Sequence, residues 1–279
     1  MKRAAIVIAV LGISAGAWAQ DKPAPQNAPS AQATPTQGKR APAAKTQPEF
    51  DAYKAAIQLT DPAAAEKAAE DFSAKFPDSE LRVVLFKSAM QKYQANADKM
   101  LEMAQKALAI DQDDPEALVT ASQVLAEKTR DTDLDRDQKL AEAKKDAERA
   151  LVTVDSDVPT AGFPPEKIDQ FKRFIRSEAY AILGTLASNA KNYAEAETDL
   201  RKSIEAFPEQ VDPVAVLRLA IVLDMQNKYP DALKYANQAV DLTKNQPDSP
   251  AAKAARSEQD RLTKLSSGSA PGQSAAPQK

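Results

Sequence analysis

Apolar residues follow a helical period through most of the chain. Between residues 49 and 265 they recur every three or four positions, among the strong helix formers Ala, Leu, Glu, Lys and Gln. No stretch alternates apolar and polar residues for long enough to predict a strand. The pairs Asp61-Pro62, Asp114-Pro115 and Asp212-Pro213 mark helix starts, because Asp caps a helix and Pro suits its first turn. The pattern predicts an all-α domain built of short helices.

One apolar pattern occurs twice in the second half of the domain. Tyr193 and Tyr229 stand at the same point of two similar turns, KNYAEA and NKYPDA, with a helical apolar pattern on either side. Such self-similarity at a period of roughly 20–50 residues is typical of repeat architectures. The repeated positions are Tyr180, Leu183, Gly184, Ala196, Leu200 and Pro208 in the first copy, and Leu219, Ala220 and Ala232 in the second.

These positions resemble the tetratricopeptide repeat (TPR), a helix-turn-helix of about 34 residues. The resemblance is close over residues 177–210 and weaker towards the N-terminus. It implies a superhelical solenoid of about five antiparallel helix pairs, with a capping helix over roughly 249–265. Gly184 falls on the family's small position, where the two helices of a pair meet closely. That position accounts for a glycine inside a helix, where it costs about 1 kcal/mol relative to alanine.

The two ends of the chain differ from the repeat region. Lys2 and Arg3 precede a short apolar stretch that ends in Ala17-Trp18-Ala19, which predicts a secretory signal peptide over residues 1–19. Residues 20–48 are rich in Pro, Ala and Gln and predict a disordered linker, and residues 266–279 predict a disordered tail. The mature chain is expected to hold no transmembrane segment and to be exported, to the periplasm or beyond the cell.

Composition narrows the classes of function. The chain has no His and no Cys, so zinc sites built on these residues and Ser-His or Cys-His nucleophile pairs are excluded. We expect a protein without enzymatic activity and without a cofactor. Its 40 acidic residues exceed its 37 basic ones, and the acid excess lies in the repeat region because the linker is basic. An acidic domain argues against nucleic acid as a partner.

One acidic segment matches the spacing of a calcium-binding loop. Asp131, Asp133, Asp135, Asp137 and Glu142 occupy positions 1, 3, 5, 7 and 12 of an EF-hand. Position 6, however, is Arg136 where the loop requires Gly for a sharp turn. The favoured interpretation is an inserted acidic loop before a helix that begins near Asp137, without a metal, while calcium binding in a looser geometry stays open.

In the TPR family the first helix of each pair binds peptides or protein segments on a concave surface. Carried over to the two clear repeats, the family pattern gives a set of candidate partner-binding residues. They are Glu178, Ala181, Thr185, Ser188 and Asn189, followed by Val214, Leu217, Ile221, Asp224 and Met225.

The apolar strip Leu217, Ile221 and Met225 lies on one helix face and allows two interpretations: contact with the capping helix, or a binding strip for a partner. The resemblance implies a protein-protein interaction scaffold of the bacterial cell envelope. The alternative is an accessory subunit of an exported enzyme or transport system. The partner and the oligomeric state do not follow from the sequence.

Overall fold

A computed structural model describes residues 39–159 and 163–266 of the 279-residue chain. Over these residues the chain forms eleven α-helices and no strand. The helices are α1 (Gln47–Ile57), α2 (Pro62–Lys75), α3 (Leu81–Lys92), α4 (Ala97–Leu108), α5 (Pro115–Lys128), α6 (Arg136–Thr153), α7 (Pro165–Asn189), α8 (Tyr193–Ala206), α9 (Pro213–Met225), α10 (Tyr229–Thr243) and α11 (Pro250–Ser266). No helix in this described part is long and apolar enough to cross a membrane.

The order of helices confirms the predicted fold class, five consecutive helix pairs followed by one further helix. α11 begins at Pro250 and packs on α9 and α10, as expected of the capping helix. Three of the helix starts lie where the Asp-Pro pairs placed them. The carboxylates of Asp61, Asp114 and Asp212 accept hydrogen bonds from the backbone N–H groups of Ala64, Ala117 and Val214 at 2.8–2.9 Å. Each cap satisfies a helical N–H that has no partner within its own helix.

The described residues fall into two compact units. Unit 1 comprises residues 122–151 and 173–266, and unit 2 comprises residues 39–121, 152–159 and 163–172. The predicted signal peptide, the predicted tail after Ser266 and the first part of the predicted linker lie outside the described residues.

Unit 2 contains α1 to α4, in which each helix packs on the next along the chain. Its core is built from small and large apolar residues in turn, with Ala69, Ala89 and Ala104 fully buried beside Phe72 and Met103. Alanine allows two helix backbones to approach, and the larger side chains fill the grooves between them. Residues 39–46, assigned to the linker by composition, lie against this unit without regular secondary structure, and α1 begins at Gln47.

Unit 1 contains the two repeats that the sequence shows most clearly, the part of α7 from Arg173 onwards with α8, and α9 with α10. Gly184 of α7 faces Leu200 of α8, and an added Cβ would stand 2.7 Å from Leu200 Cγ and 3.1 Å from Leu200 N. That approach is too close for any side chain to fit without movement. The predicted repeat positions Ala196, Leu200, Leu219, Ala220 and Ala232 are all fully buried, whereas Pro208 is exposed and opens a short 3₁₀ turn.

Side-chain hydrogen bonds connect the two repeats of unit 1 at intervals of 33 or 34 residues. Arg218 donates to Thr185 Oγ1 at 2.8 Å, and Arg201 donates to Tyr235 Oη at 2.8 Å. Each bond therefore joins a helix to its counterpart one repeat away. The turns inside the two repeats also match, since Lys191 and Asn227 both have φ of 60°. This left-handed conformation suits Asn, and Lys191 adopts it only because the turn requires it.

Candidate functional site

The candidate partner-binding residues lie on the first helix of each repeat, α7 and α9. We call this set the first-helix face. It comprises Glu178, Ala181, Thr185, Ser188 and Asn189 of α7, and Val214, Leu217, Ile221, Asp224 and Met225 of α9. The structure divides the set into residues that pack inside unit 1 and residues that remain exposed.

Thr185 and Leu217 are interior residues. The hydroxyl of Thr185 donates to the carbonyl of Ala181 at 2.7 Å and accepts from Arg218, and Thr185 is only 7% exposed. Leu217 is 6% exposed and shares an apolar cluster with Ala255 of α11, against which Ile221 also packs. Of the strip that allowed two interpretations, Leu217 is therefore core and packs with the capping helix, whereas Ile221 is only half-buried.

Asp224 is also engaged inside the unit. Its carboxylate lies 2.5 Å from an Nη of Arg261 on α11, and its side chain is 10% exposed. Arg261 in turn pairs with Glu258 at 2.9 Å. The ion pair fixes the last turns of α11 over the end of α9, so Asp224 positions the capping helix and is not open to a partner. The spacing of residues did not predict this contact, because Arg261 lies on α11, which is outside the two matched repeats.

The exposed part of the first-helix face lies mainly at the C-terminal ends of α7 and α9. Met225 is 54% exposed, Asn189 is exposed and Ser188 is half-buried. Val214 is half-buried at the start of α9, and Glu178 is half-buried with an interaction inside the chain. Asn189 and Met225 stand at equivalent points of neighbouring repeats. One polar residue, Asn189, and one apolar residue, Met225, are thus exposed to solvent at these equivalent points.

An open depression of about 660 Å³ lies between α6, α7 and α8 of unit 1, and the sequence analysis did not predict it. Leu151, Leu183 and Tyr180 supply its apolar wall. Its polar lining consists of Glu148, Glu195, Thr198, Asp199 and Lys202, with Ala194 at the edge. The signal was present in α8, where Asp199 stands on the same face as the buried residues Ala196, Leu200 and Ser203.

Asp199 is the buried carboxylate of this depression. It is 8% exposed, and its carboxylate contacts Lys202 Nζ at 3.4 Å. Burial raises the pKa of Asp199, and the charge of Lys202 offsets only part of that shift. Lys202 also lies 5.1 Å from the centre of the Tyr180 ring, in a cation–π contact. The depression therefore holds a partly compensated negative charge beside an aromatic wall.

The acidic segment 131–142 does not form a calcium loop. α6 begins at Arg136, so the residues at EF-hand positions 7 and 12 lie on a helix instead of a loop. Arg136 contacts Asp131 at 3.1 Å and Asp137 at 2.7 Å, while Lys139 contacts Asp133 at 3.5 Å and Asp135 at 2.9 Å. Four of the five carboxylates that calcium would need are used in ion pairs, two with Arg136 and two with Lys139. The helix start one residue before Asp137 agrees with the favoured interpretation.

Three other carboxylates do converge, in unit 2. Ligand oxygens of Glu66, Glu70 and Glu102 lie within 4.8 Å of one another. Lys99 and Lys106 occupy this space, with Nζ–O distances of 2.6–2.9 Å to the three carboxylates. Tyr93 donates to Glu66 at 2.5 Å, and this hydrogen bond raises the pKa of Tyr93 to about 12. The cluster is an ion-pair network that ties α2 to α4, because a metal would have to displace two ammonium groups.

Comparisons with known proteins yield few likenesses. No family model matches the chain. No curated protein matches it either. Among solved structures, the chain is similar to one described as "Assembly Chaperone of RpL4 (Acl4)", with a TM-score of 0.39 and 14% identity over 79% of this chain and 97% of that one. Nothing about this chain is inferred from a likeness with so low a TM-score. The helical-repeat architecture follows from the helix pairs described above.

Proposed function

We propose that the chain is a non-enzymatic scaffold that binds a segment of a partner protein on the first-helix face of unit 1. The observation that carries this proposal is the exposed end of that face. Met225 offers a large apolar side chain to solvent beside a turn, at the position equivalent to the exposed amide of Asn189. An apolar anchor with a polar neighbour suits recognition of a peptide or protein segment.

The proposed binding surface is narrower than the family pattern implied. Thr185, Leu217 and Asp224 stabilise unit 1 itself, which leaves the ends of α7 and α9 for a partner. The absence of His and Cys from the sequence supports a function in binding rather than in nucleophile or zinc catalysis.

Site-specific photo-crosslinking tests the proposal. A photoreactive amino acid at Met225 or Asn189 should capture a partner in the cell of origin, whereas one at Leu242 should not. Leu242 is a matched control, since it is 43% exposed and apolar but lies on the second helix α10. Equal capture at Leu242, or none at Met225 and Asn189, would contradict the assignment of the surface.

The identity of the captured proteins separates the two candidate functions. Several envelope proteins would support a scaffold. A single enzyme or transport component, captured at both positions, would support the accessory subunit that the sequence left as the alternative. Mass spectrometry of the cross-linked peptides identifies the partner in either case.

The proposal places the protein outside the cytoplasm, after removal of residues 1–19. The support is the basic start, the short apolar stretch and the Ala-Trp-Ala motif. Trp18 is the only tryptophan of the chain, so the processed protein should have no tryptophan emission. Intact-mass measurement of the native protein should give a chain that begins at Gln20; a mass that retains residues 1–19 would refute processing at this site.

A further inference from the structure

A segment without regular secondary structure precedes α1 and contacts unit 2. We call residues 39–45, which read KRAPAAK, the strap. The backbone N–H of Lys39 donates to the carbonyl of Ser156 at 2.8 Å, and the ammonium of Lys39 donates to Asp111 at 2.5 Å. Arg40 donates to both carboxylate oxygens of Glu80, at 2.6 and 2.7 Å. The strap thus lies on unit 2 through its basic side chains and one backbone hydrogen bond.

The surface beneath the strap is acidic and comes from three separate loops. Glu80 precedes α3, Asp111 follows α4, and Asp157 follows α6 at 3.5 Å from Lys39 Nζ. We call these three residues the acidic rim. Lys45 continues the contact further along, where its ammonium donates to the carbonyl of Asp78 at 2.7 Å. The contacts therefore recognise two adjacent basic residues and a third one five positions later.

The strap is held weakly enough to be exchanged. Arg40 and Glu80 are 67% and 44% exposed, and exposed ion pairs of this kind contribute little to stability and are screened by salt. Lys39 is better shielded: burial alone would lower its pKa, but hydrogen bonds and the charges of Asp111 and Asp157 outweigh that effect and raise it. Much of the occupancy follows from the covalent link to α1, which keeps the strap at an effective concentration on the order of millimolar.

We propose that the acidic rim of unit 2 is a binding surface for a basic segment of a partner protein, and that the strap occupies it in cis until such a segment displaces it. The charge of the rim and the basic side chains already seated on it define the occupant. This surface belongs to unit 2, whereas the first-helix face belongs to unit 1. A result that refutes one proposal therefore does not refute the other.

The test uses the full chain with the strap weakened by Lys39→Ala, Arg40→Ala and Lys45→Ala. The probe is a fluorescein-labelled peptide KRAPAAK, followed by fluorescence anisotropy at low ionic strength. The variant should bind the peptide at least tenfold more tightly than the parent, whose rim is filled. The uncharged peptide QQAPAAQ should not bind, and raised salt should release KRAPAAK.

Substitutions in the rim make the test specific. In the strap variant, Glu80→Gln with Asp111→Asn should weaken peptide binding at least tenfold. Asp248→Asn should leave it unchanged, since Asp248 is an exposed acid of unit 1. Unchanged binding after the rim substitutions, equal binding by parent and variant, or association of the chain into dimers without peptide binding would each overturn the proposal.

A measurement on the unaltered chain guards against a variant that folds poorly. Hydrogen exchange should show the Lys39 amide protected in the parent protein, because it donates to Ser156. Excess KRAPAAK should raise its exchange rate severalfold, while the amides of α3 should not change. If saturating peptide leaves the Lys39 amide as protected as before, the strap is a fixed structural element and the proposal is wrong.

Discussion

The two repeats of unit 1 share a backbone register but fill it with different side chains. In α7 and α8 the close contact joins Gly184 to Leu200, a residue without a side chain against a large one. By the same spacing, α9 and α10 place Ala220 opposite Ala236, two fully buried small residues. One helix pair thus packs through a glycine and a leucine, and the other packs with two alanines at the equivalent positions.

The comparison shows what makes Gly184 necessary. A helix interior disfavours glycine by about 1 kcal/mol relative to alanine. The equivalence with Ala220, taken alone, would predict that alanine at residue 184 does not destabilise the fold. Leu200 changes that expectation, because its Cγ would lie only 2.7 Å from the alanine Cβ. The glycine is therefore required by its partner on α8 and not by the position in the repeat.

Gly184→Leu should give the largest loss of stability. The leucine side chain has no space between α7 and α8, so the helices must separate, at a cost of about 3 kcal/mol or more. Urea denaturation followed by circular dichroism measures the change. A parent-like unfolding midpoint would mean that α7 and α8 do not approach as closely as the structure shows.

Gly184→Ala should lower the free energy of unfolding by about 1 kcal/mol, since the contact with Leu200 outweighs the gain in helix propensity. In a Leu200→Ala background the same substitution should become stabilising, because the pair then resembles Ala220 and Ala236. The double-mutant cycle isolates this reversal of sign from the large cost of Leu200→Ala itself. Equal effects of Gly184→Ala in both backgrounds would remove Leu200 as the cause.

Asp224→Asn should destabilise the second repeat by about 1 kcal/mol, because it removes a shielded partner of Arg261. The equivalent change in the first repeat, Ser188→Ala, should have almost no effect. Hydrogen exchange should locate the loss in α11. If α11 keeps its protection in the Asp224→Asn protein, the ion pair does not hold the capping helix.

Asp199→Asn should give the smallest effect and the opposite sign. Burial raises the pKa of Asp199 above its ordinary value of 3.8, so the charged carboxylate lowers the stability of the fold as the pH rises from 3.8 to the folded-state pKa. The substitution should therefore raise the melting temperature slightly at pH 7 and lose this advantage below about pH 3.8. The second repeat has Tyr235 at the matching position, so it has no equivalent of this buried carboxylate. A gain from Asp199→Asn that is the same at both pH values would rule out the charge as its cause.

Local signals predicted the helices well. Asp61, Asp114 and Asp212 cap α2, α5 and α9 through bonds that need only neighbouring residues, and their positions follow directly from sequence. The repeat pattern also located α11 within a residue of its observed start. Such features depend on a few adjacent residues or on a period, and both are visible in the chain.

Contacts between distant elements could not be predicted in the same way. The assignment of Leu217 to the interior depends on Ala255, and that of Asp224 depends on Arg261, both on a helix whose orientation no local pattern determines. Likewise, the composition of residues 39–46 predicts disorder, yet their few basic side chains find acids on loops far away in sequence. Long-range partners of this kind appear only when the helices are assembled.

The hydrogen bonds between equivalent helices also bear on how unit 1 would yield under mechanical load. The hydrogen bonds of Arg218 with Thr185 and of Arg201 with Tyr235 each connect one repeat to the next. Energy in such an array is shared between nearest neighbours. Pulling from the C-terminus in an optical trap should first detach α11. The last repeat should then unfold in one step, in which the hydrogen bonds to Thr185 and Tyr235 break together.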